Sequence, residues 1–349
     1  MEHPTVVVIT NFKKIMALCM VVFAMMVGGA AARDAAAENA WQAALPHVPM
    51  PSSLLMEEST LTASEAHNWA VSLHNPTTFH SSLFCSQARL HCSSLIRSSL
   101  ISFNPEDSNY DIEYNNEPPY SAAKQAPPGF FYPLRTLSNG ASIIMPNLNH
   151  PVPSHQYLPL SISQHLSLTP SSLPDLFRIF GLSNTSQMAH SMAYTVHLCT
   201  VPAMEGSAKA CTASIEEMIQ YVTAQLGFNV DVLESQPSPA YLSKAPEDVK
   251  AVVTSRTSLT QLQNMTVVCH KLMFPSMVRL CHNLESTILY EVELMPEGSR
   301  SSVKTLTVCH FDTSKWSKGH PSFGMVGTSP GKGEICHWIR SNDYVWIPV

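Results

Sequence analysis

Apolar and polar positions change their period near residue 228. Before it, apolar residues recur at helical spacing. In SSLPDLFRIFG, residues 171–181, Ser172 stands near a cap position, Pro174 in the first turn and Gly181 at the stop. QMAHSMAYTVHLC, residues 187–199, continues as a second helix. In SIEEMIQYVTAQLG, Ser214 and Glu217 form a capping box, Ile215, Met218, Val222 and Leu226 share one face, and Gly227 ends the helix. Beyond it the β-branched runs take over, at NVDVLES, MTVVCHK, SMVRLCH, STILYEVELM, VKTLTVCHF, GEICHWI and DYVWIPV. Helices followed mainly by strands predict an α+β architecture with an antiparallel sheet.

The residues ahead of this region read differently. Lys13 and Lys14 precede an apolar run from Ile15 to Val27 and then small residues from Gly28 to Ala32, the pattern of a secretory signal peptide over 1–32. The run is short of the roughly 20 residues a spanning helix needs, so no transmembrane segment is expected after its removal. Residues 33–129 mix Ala-rich, Ser-rich and polar stretches and end in FNPEDSNYDIEYNNEPPYSAAKQAPPG, a composition that predicts a largely disordered variable region and linker. Within it WQAALPHVPMP, residues 41–51, reads as a docking segment or as exposed linker. The globular part is expected over 130–349.

Composition narrows the function. With 45% hydrophobic and 13% charged residues the chain can bury one substantial core. A net charge of -6 without a long Lys/Arg cluster argues against a nucleic-acid partner. There is no Gly-rich phosphate loop or H-E-x-x-H, and no catalytic residue is nominated. Signal removal takes away Cys19 and leaves Cys85, Cys92, Cys199, Cys211, Cys269, Cys281, Cys309 and Cys336, an even set that reads as disulfides in an oxidising compartment. Cys85 with Cys92, and Cys199 with Cys211, could close local loops, but spacing alone leaves the connectivity open. Asn184 and Asn264 fit the N-glycosylation pattern.

Four of these cysteines are followed directly by histidine: Cys269-His270, Cys281-His282, Cys309-His310 and Cys336-His337. Each pair lies in or at the end of a predicted strand, where successive side chains take opposite faces. If the strands are neighbours, the cysteines could pair on one side while His270, His282, His310 and His337 converge on the other. Converging imidazoles suit copper or zinc without a free thiolate. The alternative is a set of structural disulfides beside ordinary, partly buried histidines, in a chain that also carries His150, His155, His165, His190, His197 and His320.

The spacing of the four pairs, ten, then 26, then 25 residues apart, resembles the signature of the plant BURP-domain family. Phe130-Phe131, GSAKACTASIEEMI, CHFDTSKW and the closing DYVWIP agree with it, and WQAALPHVPMP is similar to the segment that follows the signal peptide in many members. The resemblance implies a disulfide-stabilised domain over 130–349 in a secreted protein of the cell wall or apoplast, or of a vacuolar storage compartment, connected with development or stress. Subgroups resemble the non-catalytic beta subunit of polygalacturonase, which implies a wall polysaccharide or wall protein as partner. One subgroup comprises copper-dependent peptide cyclases that crosslink a Trp or Tyr side chain of a peptide substrate. For that subgroup the resemblance implies copper at His270, His282, His310 and His337. This chain departs from the cyclase pattern, because it has no repeated core and no Trp between Trp69 and Trp316. A structural or interaction role is therefore expected first.

Overall fold

The computed structural model describes residues 36–92, 129–144, 148, 155–235, 250–263, 265–283 and 285–349. The predicted signal peptide and Asn264 lie outside them, and Asn184 is exposed in a turn. The helices are α1 (Ala36–Ala44), α2 (Ser52–Glu57), α3 (Ala63–Ser72), α4 (Ser81–Gln87), α5 (Leu160–Ser163), α6 (Leu173–Ile179), α7 (Gln187–Thr200), α8 (Ile215–Leu226) and α9 (Pro321–Val326). The strands are β1 (Phe131–Tyr132), β2 (Ser142–Ile144), β3 (Lys209–Thr212), β4 (Val230–Glu234), β5 (Lys250–Ser258), β6 (Val267–Leu272), β7 (Val278–Asn283), β8 (Thr287–Pro296), β9 (Val303–His310), β10 (Ile335–Trp338) and β11 (Tyr344–Pro348). Helices and antiparallel strands give the predicted α+β class, with the strands divided between two sheets.

The first sheet runs β1-β10-β9-β8-β5-β2 and the second β3-β7-β6-β11-β4. They meet through Leu289, Leu306 and Val308 of the first and Val268 and Val345 of the second, joined by Ile339. Their outer faces are covered as well. Ile215, Met218 and Val222 of α8 pack on Val267, Cys269, Cys281 and Trp346, while Tyr132, Val253, Val292, Cys309, Cys336 and Trp338 form the outer core of the first sheet. Burial on both faces explains why β10 reads as a continuous apolar run rather than an alternating one.

The three predicted helices form α6, α7 and α8. Ser214 Oγ accepts the Glu217 amide at 3.1 Å, and Gly227 takes φ 82° after the last turn of α8, a region where a Cβ is strained. The Glu217 carboxylate accepts the Ala213 amide at 2.6 Å instead of that of Ser214, so the capping box is shifted by one residue.

Residues 36–92 differ from the disordered region expected of them. They form α1 to α4, and their apolar side chains enter two cores: Trp41, Leu45 and Leu54 join α8, whereas Leu61, Leu73 and Phe84 pack with Phe180, Met188 and Phe274. The averaged composition hid Ala37, Trp41 and Leu45 at four-residue spacing, which is one face of a helix. It also hid a complete capping box between Thr62 and Glu65. WQAALPHVPMP docks, with the Trp41 indole N–H donating to the Val48 carbonyl at 2.7 Å. Residues 93–128 of the same predicted region lie outside the described residues.

Candidate metal centre

The Cys-His pairs occupy two strand pairs with one register. Cys269 stands opposite Cys281 in β6 and β7, and Cys309 opposite Cys336 in β9 and β10. Both couples are disulfide-bonded, as are Cys85–Cys92 and Cys199–Cys211. Since side chains alternate along a strand, each following histidine turns to the opposite face, into the space between the sheets. There the rings form a row: His282 to His270 at 5.4 Å between centroids, His270 to His337 at 5.8 Å, and His337 to His310 at 5.5 Å. The structure thus brings together all four predicted histidines.

Three of the four rings have their orientation fixed by a partner at Nδ1. Asp343 Oδ2 lies 3.0 Å from Nδ1 of His270, and the Trp338 carbonyl lies 3.2 Å from Nδ1 of His337. Both oxygens only accept, so these rings carry their proton on Nδ1. The Thr287 hydroxyl lies 2.9 Å from Nδ1 of His310 and 3.3 Å from the Glu285 carbonyl, so it accepts from a protonated Nδ1 or donates to a bare one. Nε2 of His270 and of His337 is then a lone pair. Nε2 of His310 and Nε2 of His337 face each other at 3.4 Å.

Burial, and then the neighbouring imidazoles, hold His282, His310 and His337 neutral. His282 and His337 are each pushed down to about 3, and His310 falls well below the ordinary histidine range. His310 and His337 are 3% and 8% exposed, while the His270 side chain retains 25%. An aromatic layer covers them. Phe130 and Phe131 lie 5.9 and 5.7 Å from the His337 ring, and Trp316 lies 5.2 Å from His310.

This donor set fits a borderline divalent ion. Neutral imidazoles with Nδ1 tied and Nε2 available are the usual metal-binding state. With both protons on Nδ1 the facing Nε2 lone pairs of His310 and His337 repel unless a cation lies between them, and an ion about 2.0–2.1 Å from two nitrogens at a tetrahedral angle separates them by about 3.4 Å. Among the described residues, no group of three or more His, Cys, Asp or Glu side chains closes on a single point. The fit therefore rests on the His310–His337 couple and on the chemistry of the set. With the cysteines in disulfides, thiolate ligation plays no part.

Sequence reasoning missed Asp343 and Thr287, which orient the rings, and treated His320 as one of many histidines. His320 lies against Trp316 with tilted rings 4.7 Å apart and burial pushes its pKa down to about 4, so it belongs to the wall of the cluster. The segment CHFDTSKWSKGH places it ten residues after His310, across a loop whose return no period reveals.

A family model described as BURP domain matches residues 130–348. The chain is 31% identical over 221 residues to polygalacturonase 1 beta-like protein 2 of Arabidopsis thaliana, covering 62% of this chain and 34% of that protein. It is 29% identical to a polygalacturonase non-catalytic subunit of Solanum lycopersicum, covering 63% and 34% respectively. The chain thus spans about a third of the length of these relatives. It is also 27% identical over 320 residues to BURP domain-containing protein 16 of Oryza sativa subsp. japonica, covering 88% of this chain and 87% of that protein.

Proposed function

The chain belongs to the BURP-domain family, and from that membership and the histidine cluster we propose that it is a secreted, non-catalytic protein of the plant cell wall or apoplast that binds copper between its two sheets. The observation that carries the copper reading is the opposed Nε2 pair of His310 and His337. Four disulfides support an oxidising destination. Relatives named as polygalacturonase non-catalytic subunits support a wall enzyme or wall polysaccharide as partner. The aromatic layer over His310 and His337 supports a structural ion, because it keeps a bulky substrate away from their nitrogens.

Copper bound there would tie β9 to β10 on the face opposite their disulfide and, where a reactant reached it, exchange single electrons. His310 and His337 would hold it through Nε2, with His270 and His282 beside them. Asp343 and the Trp338 carbonyl keep the Nδ1 protons of His270 and His337 in place, and Thr287 holds Nδ1 of His310. The partial exposure of His270 favours a second reading, a copper-dependent peptide cyclase acting on a Trp or Tyr side chain. Equilibrating the purified secreted protein with copper and zinc, followed by metal analysis and intact mass measurement, tests both. The proposal expects copper ahead of zinc, with no two-hydrogen mass loss in the chain or in added Trp- or Tyr-containing peptides. Absence of bound copper overturns the metal reading, and a two-hydrogen loss replaces the structural reading with the cyclase.

A further inference from the structure

Lys271 and Arg279 stand directly opposite each other in β6 and β7, both buried, on the face away from the histidines. Like charges in that register repel. What reconciles them is Glu57, the last residue of α2 and outside the matched domain. Its Oε1 lies 3.1 Å from Lys271 Nζ and its Oε2 accepts from Arg279 Nη2 at 2.6 Å. The same Nη2 donates to the Asn342 carbonyl at 3.0 Å, and Arg279 Nη1 reaches the Tyr157 hydroxyl at 2.5 Å. Asn342 has φ 61°, a left-handed turn that asparagine tolerates better than most residues. The next residue, Asp343, accepts the Lys271 amide with Oδ1 at 3.0 Å and meets His270 Nδ1 with Oδ2 at 3.0 Å.

We propose that Glu57 is a positioning residue for the imidazole cluster: through Arg279 it fixes the Asn342–Asp343 turn, and that turn sets the ring orientation and tautomer of His270. The turn touches the outer face of the second sheet through Arg279 and the inner face through His270. Glu57 and Asp343 together balance Lys271 and Arg279, so the bond from Arg279 to Asn342 forms without a stranded charge. A segment outside the matched domain thereby prepares a histidine inside it. Only the metal arm of the test rests on the copper reading.

Nitrogen NMR of the full chain, labelled at histidine, reads the His270 tautomer directly. Removing Glu57 alone would bury two opposed cations, so the informative variant removes one charge of each sign, Glu57→Leu with Arg279→Met, which leaves Lys271 balanced by Asp343 and is a change that buried ion pairs often accept without loss of stability. The proton of His270 should then distribute over both nitrogens, as it should in Asp343→Asn, while His310, held by Thr287, keeps its wild-type signals. Copper affinity should fall by about 10- to 100-fold, the usual effect of losing a ligand's orienting partner. Val196→Ala, a buried change in α7, controls for destabilisation and should leave His270 unchanged. If the apolar double variant does not fold, Arg279→Lys, which keeps the charge and loses the bond to Asn342, carries the same test. Unchanged His270 signals in a folded variant, an equal change in Val196→Ala, or loss of fold in both network variants overturns the proposal. A wild type that binds no copper, with variants that still shift His270, refutes the copper reading and leaves the positioning role standing.

Discussion

Nε2 of His310 lies 3.4 Å from Nε2 of His337, while Cys309 and Cys336, the residues before them, are bonded to each other on the reverse face of the same strand pair. One dipeptide thus serves two interiors. The cysteine ties the strands within an outer core, and the histidine supplies a nitrogen to the space between the sheets. Because the two jobs are on opposite faces, they can be removed separately.

The first expected outcome is chemical. Alkylation under denaturing, non-reducing conditions should label none of the eight cysteines from Cys85 onward. Peptide mapping should return Cys85–Cys92, Cys199–Cys211, Cys269–Cys281 and Cys309–Cys336. Replacing one couple with alanines should cost about 2–4 kcal/mol in chemical denaturation. Labelling at Cys269, Cys281, Cys309 and Cys336 would mean thiolate ligation and would remove the argument from strand faces.

The two-faced dipeptides were legible in the sequence because a strand has period two, and the four Cys-His pairs sit in strands that β-branched residues announce. That the strands are split between two sheets was not legible. Lys250–Ser258 carries Lys, Ser, Arg and Thr on its open side and shifts register at Val253/Ser255, so its alternation is broken. Asp343 and Glu57 escaped for another reason. Each acts across a long sequence separation, 73 residues to His270 and 222 to Arg279, and a single chain offers no local signal for such a partner.

His310→Ala with His337→Ala should remove most bound copper and leave secretion near the wild-type level. The disulfide on the opposite face still joins β9 to β10. Thr287→Val should act more subtly. It deletes the partner of His310 Nδ1 and leaves a buried polar nitrogen unsatisfied, at a cost of about 1–3 kcal/mol. Thermal unfolding and copper titration of the two chains check these outcomes, and full copper binding by the double variant would move the site elsewhere.

Acid should destabilise the metal-free protein. The pKa values of His155, His282 and His337 are lowered to about 3 in the folded state, and that of His320 to about 4, each mainly by burial. The unfolded chain binds protons at these sites near pH 6.5 and the folded chain does not, so their contribution is fully present above that pH. It is lost progressively as pH falls from there to the folded values, at up to about 1.4 kcal/mol per pH unit for each histidine. Urea denaturation between pH 7 and 4 should show a falling midpoint. Copper should flatten that dependence until protons displace it, and a midpoint constant over this range would contradict the burial of these rings.

The last expected outcome concerns the segment that composition assigned to disorder. Trp41 is fully buried, its ring 5.4 Å from that of Trp346 in β11, and its indole N–H is satisfied by Val48. Trp41→Ala should therefore cost about 3–5 kcal/mol, the range for deleting a buried aromatic side chain. Met56→Ala, at a side chain 72% exposed on the neighbouring helix, should stay within about 0.5 kcal/mol. A double-mutant cycle between Trp41 and Trp346 should leave a coupling of about 0.5–1.5 kcal/mol, beyond what area burial accounts for. If residues 36–61 were a solvated linker, both substitutions would be neutral and the coupling zero. Equal, near-zero effects of Trp41→Ala and Met56→Ala in urea denaturation would return this segment to the disordered reading and detach Glu57 from the histidines.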